Sequence, residues 1–227
     1  LKKFDAIVAV SNYTKSLIEH LKKDVVVIPN GIQLEYWKTE QVPEITLQGN
    51  PVLTTVGRVS SRKGQLNVIK HLPELIKQHP ELHYHCVGIP TEAADFLDQA
   101  KAIGVEKQIT FHGAVDNNTL KSMLLATDVF VMLSTESMSG DVEGFGIAIL
   151  EANAMGVPAI GSKGCGIEDA IQSGKSGELV EIGSVAHFEA AIGKILSNKL
   201  AYQKGARAWA KQHDWSTIIQ RYIALFA

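Results

Sequence analysis

The stretch "VLTTVGRVSSRKGQL", residues 52–66, passes from a β-branched run through a glycine turn into a helical pattern. At the carboxyl end of a parallel strand, such a junction aims backbone N–H groups and a helix N-terminus at whatever lies beyond the strand. Gly57 supplies the turn, and Arg58 and Lys63 stand at the junction. Arginine brings a planar fork able to grip two phosphate oxygens and lysine a compact point charge, so the pair suits a diphosphate. Two solvated basic residues in a loop would give the same pattern, because one glycine loop is a weak motif. The fingerprint G-x-G-x-x-G is missing, and the next strand run, "HYHCVGIP" at 83–90, ends on no acidic residue for the ribose of a nicotinamide dinucleotide. A dehydrogenase is therefore disfavoured.

The same alternation runs along the whole chain. Strands are predicted at 7–10, 25–28, 52–56, 83–87, 109–111, 129–133, 158–161 and 178–180. Helices are predicted at 14–20, 65–78, 93–103, 119–126, 146–155 and 168–173, with three more after residue 185. Strands separated by helical patterns indicate an α/β fold built on a doubly wound parallel sheet. Pro73 is expected to kink the second helix, because its ring removes a donor and clashes with the preceding turn. Residues 29–50 are polar and dotted with turn residues, which reads as a linker between domains. Residues 1–28 then form a closing strand-helix-strand unit of a domain otherwise outside this sequence, and its apolar edges are expected to promote self-association or to leave the segment mobile.

Composition bounds the function. The 227 residues are 45% hydrophobic and 20% charged, an ordinary globular profile. Lys and Arg number 22 against 24 Asp and Glu, so no global basic field exists to attract nucleic acid, and any anion must be met locally. Cys86 and Cys165 match neither a zinc spacing nor a disulfide framework and read as buried thiols in a reducing cytosol. No apolar run is long enough to span a bilayer, and the first residue, Leu1, points to a piece of a longer protein.

Two acids bracket the helix predicted at 146–155. In "EGFGIAILE", residues 143–151, Glu143 stands before the helix N-terminus and Glu151 about two turns along, with backbone anchors roughly 12 Å apart at 1.5 Å per residue. Glycoside hydrolases hold their carboxyl pair about 5 to 9.5 Å apart, so this pair is poorly spaced for hydrolysis. It suits a longer ligand. In a nucleoside diphosphate sugar each acid could accept from the hydroxyls of one ring while the N–H groups of Gly146 and Ile147 face the diphosphate. Taken alone, Glu143 could equally be a helix-dipole acid and Glu151 an ordinary exposed residue.

Further segments complete a pattern: "DAIVAVSNYTKSLI" (5–18), "VVVIPNGI" (25–32), "VGRVSSRKG" (56–64), "HPELHYHCVG" (79–88), "ITFHGAV" (109–115), "LLATDVFVMLS" (124–134), "EGFGIAILEANAMGVPAIGS" (143–162), "GIEDAI" (166–171), "SGELV" (176–180) and "HDWSTIIQRY" (213–222). In this order they resemble the C-terminal half of retaining glycosyltransferases of the GT-B fold, family 4 or "group 1". The resemblance covers essentially the whole sequence. It implies a Rossmann-like nucleotide-sugar-binding domain at 51–205 and C-terminal helices at 206–227 that cross back to an acceptor-binding N-terminal domain. Arg58 and Lys63 would bind the donor diphosphate, Glu143 the transferred sugar and Glu151 the ribose, with Arg58, Lys63 and Glu143 as the catalytic group. The backbone at Phe145, Gly146 and Ile147 would line the sugar and phosphate site, and Gly88 and Val115 would read the base. No cofactor or metal is implied, because Arg58 and Lys63 take the place of a divalent ion. The implied acceptor is a glycan or a lipid-linked acceptor. The implied setting is polysaccharide or glycolipid synthesis in the cytoplasm, at the membrane face for the longer protein. The sequence departs from the family in lacking a second glycine in "HCVGIP" and in carrying Cys165 within "GSKGCGIED".

Smaller features read blandly. His83 and His85 share one strand face and could form half a metal site, but no third ligand is evident. Asp141 could touch the sugar but reads first as a solvated loop acid, and Trp209 and Trp215 read as packing anchors. The rivals to a glycosyltransferase are a nucleotide-sugar epimerase or a sugar phosphorylase on the same fold, and a non-catalytic sugar-nucleotide-binding module. A phosphorylase would need a pyridoxal phosphate lysine, for which no candidate setting exists.

Overall fold

The computed structural model describes residues 6–40, 42–137 and 140–225. Two parallel sheets carry the chain. The first pairs β1 (Ile7–Ala9) with β2 (Val25–Val27) around helix α1 (Asn12–Ser16). The second holds β3 (Val52–Val56), β4 (His83–Val87), β5 (Ile109–Gly113), β6 (Val129–Met132), β7 (Ala159–Ser162) and β8 (Gly177–Val180) in the order β5-β4-β3-β6-β7-β8. Helices α2 (Gln65–Gln78), α3 (Ala93–Ala102), α4 (Asn117–Leu125), α5 (Ile147–Ala154) and α6 (Val185–Ser197) accompany it, followed by α7 (Lys199–Gln212) and α8 (Trp215–Ile223). The order reverses between β3 and β6, and in a doubly wound sheet the crevice beyond the carboxyl ends at that point is where ligands bind.

Strand β6 shows why the sheet is covered on both faces. Val129 and Val131, with Leu133 just beyond the strand, enter one core with Val68, Ile69, Leu72 and Leu75 of α2, while Phe130 and Met132 enter the other with Ile149 and Leu150 of α5. Full burial of each such side chain contributes about 1.5 to 3 kcal/mol. Helix α5 buries Ile149, Leu150, Ala152 and Asn153 on one side and leaves Ile147 exposed and Glu151 half-buried on the other. The threonines of β3 enter the interior with partners: Thr54 pairs with Thr127 at 2.7 Å, and Thr55 pairs with the Tyr84 hydroxyl at 2.7 Å. Cys86 and Cys165 are both free and buried, and burial pushes the Cys86 thiol up to about 12.

The N-terminal unit is tied to the rest of the chain. Ser11 caps α1 in a reciprocal box with Thr14, and the Asn12 backbone N–H donates to Asp169 at 3.0 Å. Ile32 and Trp215 join their backbones at 2.9 Å, and Arg221 donates to the Val27 carbonyl at 2.7 Å.

Two expectations change. The helix expected at 168–173 is a 3-10 turn, Gly166–Ala170. Its start is fixed by Gly166 N–H donating to the Glu143 carbonyl at 2.9 Å, and the Trp209 indole donates to the Ala170 carbonyl at 2.9 Å. The helix expected at 14–20 is α1 followed by a 3-10 turn, Glu19–Leu21, which ends at Lys22 in the left-handed region. Pro73 lies inside α2, which is one helix across it. Residues 205 and 206, where the sequence suggests a division, both lie within α7. Gly205 does not end the helix; a Cβ there would come within 2.2 Å of the Lys175 carbonyl oxygen, so the position serves close packing.

Candidate active site

The crevice between β3 and β6 is built from the loop before α2 and the loop before α5. Gln65, fully buried at the start of α2, shapes the first loop from inside: its amide oxygen accepts from Ser60 N–H at 3.2 Å and its amide nitrogen donates to the Arg58 carbonyl at 3.1 Å. Gly64 adopts φ +80, and a Cβ there would stand 2.0 Å from the Leu133 carbonyl oxygen. This close approach draws the loop onto the end of β6 and carries Lys63 toward the second loop. Gly57 N–H donates to the Val87 carbonyl at 2.8 Å.

The predicted cation and acid meet directly. Lys63 Nζ lies 2.6 Å from Glu143 Oε2, and Arg62 Nη1 lies 2.8 Å from the same oxygen. The Glu143 side chain is only 11% exposed, so this contact is sheltered from screening more than a surface pair would be. Arg62 Nε also reaches Asp141 at 2.9 Å. Glu151, half-buried on α5, has its pKa raised by burial, and the charge of Lys63 offsets part of that rise. One lysine thus bears on both acids of the motif. Arg58 is exposed and lines a cleft of about 740 Å³ with Ser60, Arg62, Glu136 and Asp141; among the described residues its guanidinium has no ion pair.

The remaining predicted residues sit around this centre. Gly146 adopts φ +91 ahead of α5, and among the described residues no side chain caps that helix, which leaves the first-turn N–H groups of Ile147 and Ala148 open. The Phe145 side chain is buried with its ring 6.0 Å from that of His213, so only its backbone borders the crevice. Gly88 follows β4, and a Cβ on it would meet the Gly57 carbonyl oxygen at 2.1 Å; Val115 follows β5 on the same end of the sheet. Val10 and Thr14 of the N-terminal unit face Gly144 across the crevice.

Sequence reasoning passed over Arg62 and Gln65 and gave Asp141 no partner. A basic dipeptide before Gly64 was the available signal, but nothing in it names an acid some 80 positions away. The histidine pair gains a third member. His85 Nδ1 lies 2.9 Å from His112 Nε2, and His83 bonds Thr110 at 2.8 Å. Burial lowers all three pKa values, that of His83 to about 4. Both His85 nitrogens are engaged, by His112 and by the Gln48 carbonyl, and no group of described residues is arranged to hold a metal ion.

The family model described as "Glycosyl transferases group 1" matches residues 38–213, which contain both crevice loops and both acids. The chain belongs to this family. It is 28% identical to the GDP-mannose-dependent alpha-(1-6)-phosphatidylinositol monomannoside mannosyltransferase of Mycolicibacterium smegmatis, covering 94% of this chain and 59% of that protein. It is 32% identical to a glycogen synthase of Mycobacterium tuberculosis, covering 86% of this chain and 46% of that one. Among solved structures, Anabaena Alr3699/HepE in complex with UDP and glucose superposes with a TM-score of 0.80 at 22% identity, over 97% of this chain and 62% of that one. The sucrose-phosphate synthase of Thermosynechococcus elongatus superposes at 0.79 and 21% identity, over 100% of this chain and 58% of that one. These likenesses bear out the expected GT-B-type lobe. The chain spans about half the length of the curated relatives it matches. No helix among the described residues is long and apolar enough to cross a membrane.

Proposed function

We propose that this chain is the donor-binding lobe of a retaining glycosyltransferase that moves a sugar from a nucleoside diphosphate sugar to a glycan or lipid-linked acceptor. The observation that carries the reading is the contact of Lys63 Nζ with Glu143 at 2.6 Å at the switch point of the sheet, beside an Arg58 that has no ion pair among the described residues. Arg58, Lys63 and the open N–H groups of α5 stabilise the charge that grows on the diphosphate as the glycosidic bond breaks. Glu143 accepts from a sugar hydroxyl and Glu151 from the ribose. A carboxylate already held by two cations is a poor nucleophile, which favours a binding role for Glu143 over a covalent one. The mannosyltransferase relative, GDP-mannose-dependent by name, and the UDP-bound structural neighbour support a nucleoside diphosphate sugar as donor. On this reading residues 1–28 belong with an acceptor-binding domain, residues 29–50 join it to the donor lobe, and synthesis takes place on the cytoplasmic side of the membrane.

Calorimetric titration with UDP-glucose, GDP-mannose and ADP-glucose tests the proposal; failure to bind any nucleoside diphosphate or its sugar would overturn it. The cations supply the counter-charge, so a chelator is expected to leave binding nearly unchanged. Added salt is expected to weaken it, because exposed charges are screened over about 10 Å at 0.1 M. Binding lost on chelation and restored by magnesium or manganese would count against the site.

The pH dependence follows from Glu151. An acid whose pKa is raised by folding binds its proton more tightly folded than unfolded, so its contribution to stability is present below the ordinary glutamate range and lost as pH rises through the raised value. Ligand hydroxyls need the carboxylate, so affinity should climb through that same window, above the range where an exposed glutamate titrates. The difference between the unmodified chain and Glu151→Gln isolates this limb from titration of the phosphate itself. Identical pH curves for the two would remove Glu151 from the binding step.

A further inference from the structure

Arg62 occupies a place that no other cation of the site can fill. Its guanidinium spans two acids, with Nε 2.9 Å from Asp141 and Nη1 2.8 Å from Glu143. Its own carbonyl accepts from Thr135 N–H at 3.2 Å, which joins the two crevice loops at their backbones as well. Both cationic contacts to Glu143 fall on Oε2, and Oε1 makes no hydrogen bond among the described residues. A carboxylate pinned through one oxygen presents the other to a ligand.

Lysine is a point charge on a flexible stem, and it goes to the strongest local anion. A bound diphosphate is a stronger anion than one carboxylate, so Lys63 turns toward it and its hold on Glu143 weakens. Glu143 would then face the diphosphate with nothing to fix or neutralise it. Arg62 is held differently from Lys63: its planar fork is shared between Asp141 and Glu143, and its backbone is bonded to Thr135 of the second loop.

We infer that Arg62 is a positioning residue for the transferred sugar, holding Glu143 in place through Oε2 when the diphosphate recruits Lys63, while Asp141 aims Arg62. This deepens the donor-site reading and rests on it. The Asp141 carboxylate is 66% exposed, so an Arg62–Asp141 pair alone would be worth little; its use is directional, fixing which way the planar fork faces.

Titration calorimetry of the whole chain with UDP-glucose, GDP-mannose and ADP-glucose, each paired with its bare nucleoside diphosphate, tests the inference. Arg62→Gln is expected to weaken the sugar nucleotide about tenfold and the bare diphosphate by less than about threefold. Arg62→Lys should restore part of the loss, since lysine reaches Glu143 but cannot fork to both acids. Asp141→Asn should give a smaller loss in the same direction, and the double variant should be no worse than Arg62→Gln, because Asp141 acts only through Arg62. Equal losses for both ligands with a flatter salt dependence would make Arg62 a third diphosphate cation. A gain in affinity would make it a plug over the site. No change, with the melting temperature lowered, would leave it a structural ion pair. Each of these overturns the inference while the donor-site reading stands; absence of any binding by the unmodified chain overturns both.

Discussion

Glu143→Ala is expected to weaken the sugar nucleotide by about ten- to a hundredfold and to leave the bare nucleoside diphosphate bound at least as tightly as before. Loss of a hydrogen bond to a charged group costs about 1.5 to 3 kcal/mol, which sets that range. The bare diphosphate escapes because removing Glu143 frees Arg62 and Lys63, both held within 2.8 Å of one of its oxygens. Glu151→Ala is expected to weaken both ligands alike, since the ribose is common to them. Calorimetry on two variants and two ligands supplies the comparison, with circular dichroism to show that each variant is folded. If Glu143→Ala weakens the bare diphosphate as much as the sugar nucleotide, Glu143 organises the loop ahead of Gly146 and does not read the sugar.

Gly64→Ala is expected to be strongly destabilising. The residue lies at φ +80, which costs an L-residue about 1 to 2 kcal/mol. The added Cβ would also stand 2.0 Å from the carbonyl oxygen of Leu133, which directly follows a central strand and cannot easily yield. Overpacking of this kind adds about 1 to 3 kcal/mol, for a sum of about 2 to 5. At about 2 to 4 °C per kcal/mol for a chain of this size, the melting temperature should fall by about 4 to 20 °C. Gly104→Ala is the control, since Gly104 lies at φ +73 and a Cβ added there would meet nothing within 4 Å, which isolates the backbone contribution. Equal falls for the two variants would show that the contact with Leu133 carries no strain.

Most strands were legible because each is a short apolar run bounded by turn residues. The run at 52–56 was predicted to the residue, and Gln65–Gln78 emerged as one helix from its apolar spacing in spite of Pro73. The turn at Gly166–Ala170 was misread as a helix because "GIEDAI" carries helical composition, while its conformation is set by a backbone bond to Glu143 and by the Trp209 indole.

The sequence by itself determined the class of fold, which follows from local spacing along strand-turn-helix junctions, and pointed to the family through motifs spread along the whole chain; Arg58, Lys63, Glu143 and Glu151 were singled out by that resemblance. It did not determine the pairing among them. Which acid Lys63 meets, that Arg62 shares it, that Asp141 holds Arg62 and that His112 joins His83 and His85 all depend on loops or strands brought together by the order β5-β4-β3-β6-β7-β8. That order is a property of long-range packing between faces that look alike in sequence. Side-chain contacts across the crevice are fixed only when the close approach of Gly64 to Leu133 and of Gly166 to Gly144 sets the distance between the loops.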